Sequence, residues 1–235
     1  HCNEGKSTFT TTTSNLTSSS YIKGITYNGQ RWMGISDSIV YSTTGIDWYV
    51  DDELQTFHTT TGHGISSKKL DTLATVPASQ FMVSVGAGTN TIAYSYNGIS
   101  WIGLGNSIFS SQGVAVAYDG IGRWVAVGQG TNTIAYSDDG ITWTGLGITL
   151  FSTVGYCVAY GGDMWLAGGT GTNSLVYSYD GIVWTAITSV ITAVRSIAYG
   201  LDKWVTNYGY SYDGITWTTT GAFSSYCVAY NGFDT

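Results

Sequence analysis

The sequence predicts an all-β fold, a β-propeller of four-stranded antiparallel blades with five complete blades and parts of a sixth. Three observations predict it. The segment Tyr136-Ser-Asp-Asp-Gly-Ile-Thr-Trp143 recurs along the whole chain. A hairpin-like motif sits between its copies. No apolar stretch keeps a 3.6-residue period long enough for a helix. Repetition this open marks an array of one supersecondary unit.

The clear copies of the first motif are Tyr94–Trp101, Tyr136–Trp143, Tyr177–Trp184 and Tyr210–Trp217, with a looser one at Tyr41–Trp48. The second motif occupies Gly24–Gly34, Val114–Gly128, Cys157–Gly169 and Ser196–Thr206, with a degenerate copy at Leu73–Gly86. Each is a β-branched and aromatic run, a turn rich in Gly, Asn or Asp, and another such run, the pattern of a hairpin. One unit therefore has four strands. Strand a is VAVAY-like, strand b WVAVG-like, strand c TIAYS-like, and strand d begins at the Trp that closes the first motif. The Trp-to-Trp spacings of 53, 42, 41 and 33 residues bracket the ~40–45 residues of a propeller blade. The complete blades fall at roughly 21–50, 70–102, 113–144, 155–185 and 195–218. Tyr49 to Lys69 then reads as a loop insertion.

The nine tryptophans fall at two repeat positions. Trp32, Trp124, Trp165 and Trp204 open strand b. Trp48, Trp101, Trp143, Trp184 and Trp217 follow the c–d turn. Phe81 and Phe9 fill these two places in weaker copies. The aromatics read as packing between blades, where their large apolar area is buried.

The first motif resembles the Asp-box of sialidases and related propellers, in a form one residue tighter. Ser137, Asp139, Gly140, Thr142 and Trp143 match best. Ser95, Asn97 and Trp101, Ser178, Asp180 and Trp184, and Ser211, Asp213 and Trp217 hold the same places in other copies, while Thr44 breaks the pattern. The resemblance implies a structural turn between the outer strands, on the face away from the ligand. The chemistry agrees, because an Asp or Asn side chain accepts bonds from its own turn and Gly permits positive φ. The resemblance identifies an architecture, not a reaction.

Near the ends, Glu4–Phe9 reads as a degenerate c–d turn and Phe223–Tyr230 as another strand a. The expectation is an internal segment of a longer polypeptide, with a split closing blade as the alternative. Net charge is −7 and only 10% of residues are charged. Nucleic acid and anionic membranes, which attract clustered Lys and Arg, are disfavoured as partners. No apolar run is long enough to span a bilayer. The Ser, Thr, Gly and Tyr content suggests an extracellular, cell-surface or virion-surface location. Cys2, Cys157 and Cys227 form no evident disulfide framework and read as buried thiols, with a Cys2–Cys227 bond in the shared partial blade as the alternative. Asn15-Leu-Thr17 is a formal glycosylation sequon.

The resemblance implies that ligands bind on the face that carries the b–c loops and the d–a connections. There Asn90, Asn132 and Asn173 recur. They read first as ties within their own hairpins; the second reading is a ring of amides offered to sugar hydroxyls. The Tyr49–Lys69 piece holds Asp51, Asp52, Glu53, His58 and His63. His58 and His63 are ligand candidates, and a metal held by them with a carboxylate is conceivable, although solvated loop residues explain them as well. No metal or cofactor is expected.

The resemblance raises sialidase chemistry, which would need a Tyr–Glu pair, an Asp and three arginines. Arg31 and Arg123 share a place on the a–b turn, on the opposite face; Arg195 alone starts a strand a. No convincing carboxylate pair is placed for glycoside hydrolysis, so no catalytic residue is expected. The leading reading is a non-catalytic module that binds a glycan or protein on its loop face. A structural or assembly module of an extracellular fibre or virion, with other parts of a larger assembly as partners, is the alternative. A sialidase-like hydrolase is the second alternative.

Overall fold

The computed structural model describes residues 23–27, 31–35, 39–45, 48–50, 61–67, 81–188, 193–220 and 228. They form five four-stranded antiparallel units in chain order. Blade 1 is β1 (Gly24–Tyr27), β2 (Trp32–Ile35), β3 (Ile39–Ser42) and β4 (Tyr49–Val50). Blade 2 is β5 (Thr61–Ser67), β6 (Met82–Ala87), β7 (Ile92–Ser95) and β8 (Trp101–Gly103). Blade 3 is β9 (Gln112–Tyr118), β10 (Trp124–Gln129), β11 (Ile134–Ser137) and β12 (Thr144–Gly145). Blade 4 is β13 (Val154–Gly161), β14 (Met164–Thr170), β15 (Leu175–Ser178) and β16 (Thr185–Ala186). Blade 5 is β17 (Ile197–Gly200), β18 (Lys203–Thr206), β19 (Gly209–Ser211) and β20 (Thr218–Thr219). Each blade pairs a–b–c–d, and one bridge, Ala87 to Gln112, joins blades 2 and 3.

The ladder corrects two sequence expectations. Strand a of blade 2 is β5, inside the piece read as a loop insertion, and not in the degenerate copy after Lys69. Thr61-Gly-His-Gly-Ile-Ser-Ser67 lacks the aliphatic alternation of its homologues, yet Ser67 pairs Met82 as Tyr118 pairs Trp124. Secondly, Met82 and not Phe81 holds the ladder place of Trp124, since Met82 pairs Ser95 as Trp124 pairs Ser137. Phe81 sits one residue earlier, where its ring meets Trp124 edge-on at 5.7 Å. Residues 68–80, Phe9, His58, Glu53, Cys2 and Cys227 lie outside the described residues.

The core is distributed between blades. In blades 2, 3 and 4 strand b is buried on both faces, so alternate side chains serve opposite seams. Trp124 and Ala126 pack with Val83, Val85 and Phe109 of blade 2. Val125 and Val127 pack with Trp165 and Ala167 of blade 4. Further clusters join blades 1 and 2 through Met33, Ile35 and Met82, and blades 4 and 5 through Leu166, Leu175 and Trp204. Phe109 and Phe151, from the apolar d–a connections, are fully buried.

Near the axis the inner strands crowd together, and small residues follow. A Cβ on Gly24 would lie 3.2 Å from the Gly64 Cα, and one on Gly64 would lie 3.1 Å from the Ala115 Cα. Cys157 holds the next place; its thiol is buried, donates to the Val194 carbonyl at 3.5 Å and is pushed up by burial. An inert core thiol fits that setting.

Candidate functional site

The repeated turn is a hydrogen-bonded cage. Ser137 Oγ accepts from Gly140 N at 2.8 Å and donates to Asp139 Oδ1 at 2.9 Å. Asp139 Oδ1 accepts from Ile141 N and Thr142 N at 2.8 and 2.7 Å. Trp143 Nε1 closes the turn by donating to Gly140 O at 3.0 Å. Ser178, Asp180 and Trp184 repeat this arrangement. So do Ser211, Asp213 and Trp217, and Ser95, Asn97 and Trp101. In blade 1, among the described residues, Gly45 N donates to Ser42 Oγ at 2.8 Å. These residues hold turns together; Ser178 and Asp180 also line a hollow of about 260 Å³ with Tyr177 and Tyr179.

The cage lowers the pKa of its carboxyls. Asp180 is held down by the N–H groups of Val183 and Ile182, and Asp213, further down, by those of Thr216 and Ile215. At Asp139 burial raises the pKa, but the N–H groups of Thr142 and Ile141 outweigh it. A depressed folded pKa contributes stability that is present above the unfolded value of 3.8 and is lost as pH falls through the folded value. Thermal unfolding from pH 6 downward is therefore expected to show a falling midpoint below about pH 4. Replacing Asp139, Asp180 and Asp213 together by Asn, the residue already present at 97, is expected to flatten that limb. An unchanged acid limb would reject the assignment.

The asparagines act as ties across connections. Asn132 Oδ1 accepts from Gly147 N at 2.8 Å and its Nδ2 donates to Ile108 O at 2.7 Å. Asn90 Oδ1 accepts from Gly105 N at 2.8 Å, and Asn173 Nδ2 donates to Leu150 O at 2.7 Å. Each amide thus binds a b–c loop to the d–a connections beside it. The amides of Asn90 and Asn132 fill the space where a Cβ on Gly103 and Gly145 would stand. Reading them as hairpin ties had the right sense but too short a range, because the partners lie 15 to 24 residues away.

The site that the structure assembles is the central channel. It has a volume of about 870 Å³ and is lined by the inner strand of each blade, with Val228 on the remaining side. In blades 2, 3 and 4 strand a carries a bulge near its start. The register slips past His63 between Gly62 and Gly64, past Val114 where Gly113 pairs Gly128 and Ala115 pairs Val127, and past Tyr156 between Gly155 and Cys157. A bulge leaves one residue unpaired and re-aims its side chain. Counting back along the ladders gives Lys23 and Arg195 the same place. Lys23, His63, Val114, Tyr156 and Arg195 thus form one tier at the end of the channel next to the loop face. His63 Nδ1 lies 3.0 Å from Gly113 O. Its pKa is lowered, first by burial and then by the Lys23 charge, while the Gly113 contact opposes the shift. The Arg195 guanidinium carbon sits 4.5 Å over the Tyr156 ring.

The other arginines are spent elsewhere. Arg123 pairs with Asp138 at 2.8 Å and Arg31 lies over Tyr41 at 5.2 Å. Both stand on a–b turns, at the far end of strand a from Arg195. Among the described residues no group of three His, Cys, Asp or Glu side chains could hold a metal ion. No helix of the described residues is long and apolar enough to cross a membrane. Sequence reasoning passed over Lys23 and Tyr156; aligning the starts of strand a, including Thr61–Ser67, is the signal that finds them.

No family model matches the sequence, and no curated protein does. Solved structures match well in shape. One is the extracellular domain of a B. thetaiotaomicron protein assigned to the one component systems, at 12% identity and a TM-score of 0.61, over 88% of this chain and 29% of that one. The chain folds as a β-propeller. Its similarity extends to a GH74 enzyme of Niastella koreensis at 15% identity and TM-score 0.56, over 85% of this chain and 30% of that one. It extends also to YCF48 from Cyanidioschyzon merolae at 15% and 0.54, over 87% and 73%. At such identities the likeness is one of fold. The propeller spans less than a third of the first two proteins and 55% of the computationally designed Ika8 protein, which it also matches.

Proposed function

We propose that this propeller is a non-catalytic module that binds a carbohydrate or protein ligand at its loop face, outside the cell or on a cell or virion surface. The observation that carries the reading is the channel. Its volume of about 870 Å³ suits a small ligand or a protruding side-chain cluster. Polar groups gather at its mouth and aliphatic ones line its depth. Among the described residues its lining holds no carboxylate, whereas glycoside hydrolysis in most families needs two. The extracellular neighbour named above supports the location. A glycan array probed with the intact protein tests the reading: reproducible binding to a defined glycan set supports it. No glycan binding, together with no partner captured through the loop face, would sink it.

One observation favours an assembly role as the second reading. At the outer faces of the described array Trp32 is 38% exposed and Val205 37%, while their counterparts inside the array are buried. An apolar hollow of about 510 Å³ lies beside Val205, Tyr210 and Val228. Native mass and light scattering of the naturally occurring particle distinguish the two readings. A small monodisperse species supports the binding module, and occurrence only within a large particle supports assembly.

A further inference from the structure

We propose that the channel mouth is a site for an oxyanion, a carboxylate, sulfate or phosphate group carried by the ligand, seated between Lys23 and Arg195. The proposal rests on the binding role above and names the chemistry it would select. Among the described residues charge is segregated between faces. Every carboxylate among the described residues stands on an a–b or c–d turn: Asp119, Asp163 and Asp202 on the former, Asp138, Asp139, Asp180 and Asp213 on the latter. The channel end beside the other face carries Lys23, His63 and Arg195 instead. In a chain of net charge −7, a cationic mouth is a local inversion of sign.

The surroundings strengthen it. Below the mouth the next tier is aliphatic: Ile25, Ile65, Val116, Val158, Ile197 and Val228. Low-dielectric walls around a charged opening focus the field and raise the local concentration of counter-ions. The Tyr156 ring holds the Arg195 guanidinium by a cation–π contact, which positions the charge. A placed guanidinium binds an oxyanion through charge-assisted hydrogen bonds, and Lys23 adds a mobile point charge. The lining predicts an amphipathic ligand, its anionic group at the rim and its less polar face against the aliphatic tier.

The test is calorimetric titration of the intact chain at low ionic strength, where screening is weak. Glucuronate, inorganic phosphate and inorganic sulfate are the probes, and glucose is the neutral control. Saturable binding of at least one anion and not of glucose is expected; which anion binds separates a carboxylate from an ester oxyanion. Arg195→Met and Lys23→Met are each expected to weaken binding by about tenfold or more, and Lys203→Met, at the start of strand b beside the a–b turn, is expected to leave it unchanged. Residues 23 and 195 are exposed, so folding of both variants is expected and is checked by their unfolding midpoints. Absence of saturable anion binding, or equal affinity in both variants, overturns the site. Array glycans that are neutral and bind Arg195→Met as they bind the parent chain would leave the wider binding role standing and remove only the oxyanion.

Discussion

Trp165→Ala is expected to lower the unfolding free energy by about 3–5 kcal/mol, the range for large aromatic truncation in a packed core. Trp165 is 1% exposed and packs with Val125, Val127 and Phe151 across the seam between blades 3 and 4. It also meets the Tyr160 ring of its own blade at 5.0 Å. Truncation would leave a hollow in a seam built on rigid ladders, which relax little. The repeat supplies an internal control. Trp32 has the same ladder place and the same Tyr contact, Tyr27 at 5.0 Å, yet is 38% exposed. Trp32→Ala should therefore cost less, by at least about 1 kcal/mol. Urea unfolding of both variants measures the difference. Equal losses would mean that the tryptophans act within blades and not between them.

Gly140→Ala is expected to destabilise by about 2–5 kcal/mol, from two causes that add. The residue has φ +75°, where an L side chain is strained. A Cβ there would also strike the Phe81 ring edge and come within 3.1 Å of Val83 Cγ2, in the neighbouring blade. Gly105 separates the causes. It has φ +76° and nothing within 4 Å of a Cβ, so Gly105→Ala should show the backbone strain alone, about 1–2 kcal/mol. A Gly140→Ala effect no larger than that of Gly105→Ala would show that the seam accommodates a methyl group at this point.

The parts of the fold that were legible in the sequence are those whose chemistry is local. The Ser-x-Asp-Gly turn satisfies its own backbone groups within a few residues, so Asp139, Asp180 and Asp213 announce the turn wherever the chain goes. Strand b must be apolar on both faces because it is covered on both, and its Trp positions follow. The tryptophans after the c–d turn likewise keep one partner, the carbonyl of the Gly three residues before. From these the four-stranded unit and its repetition could be read.

Strand a of blade 2 was not legible. Near the axis its residues are chosen for close approach and for the channel, so Gly62, His63 and Gly64 replace the apolar alternation that marks a strand. The reach of the asparagines was equally hidden, since Ile108 and Leu150, which accept from Asn132 and Asn173, become neighbours only when connections stack above the blades.

The sequence by itself determined the repeating unit, the turn chemistry and the two tryptophan positions, because the first two are set by residues a few places apart and the third recurs with the repeat. The tertiary structure alone decided which side chains face the channel. Lys23, His63 and Arg195 are scattered over the chain, and only the radial arrangement of blades brings the two cations and the imidazole to one opening.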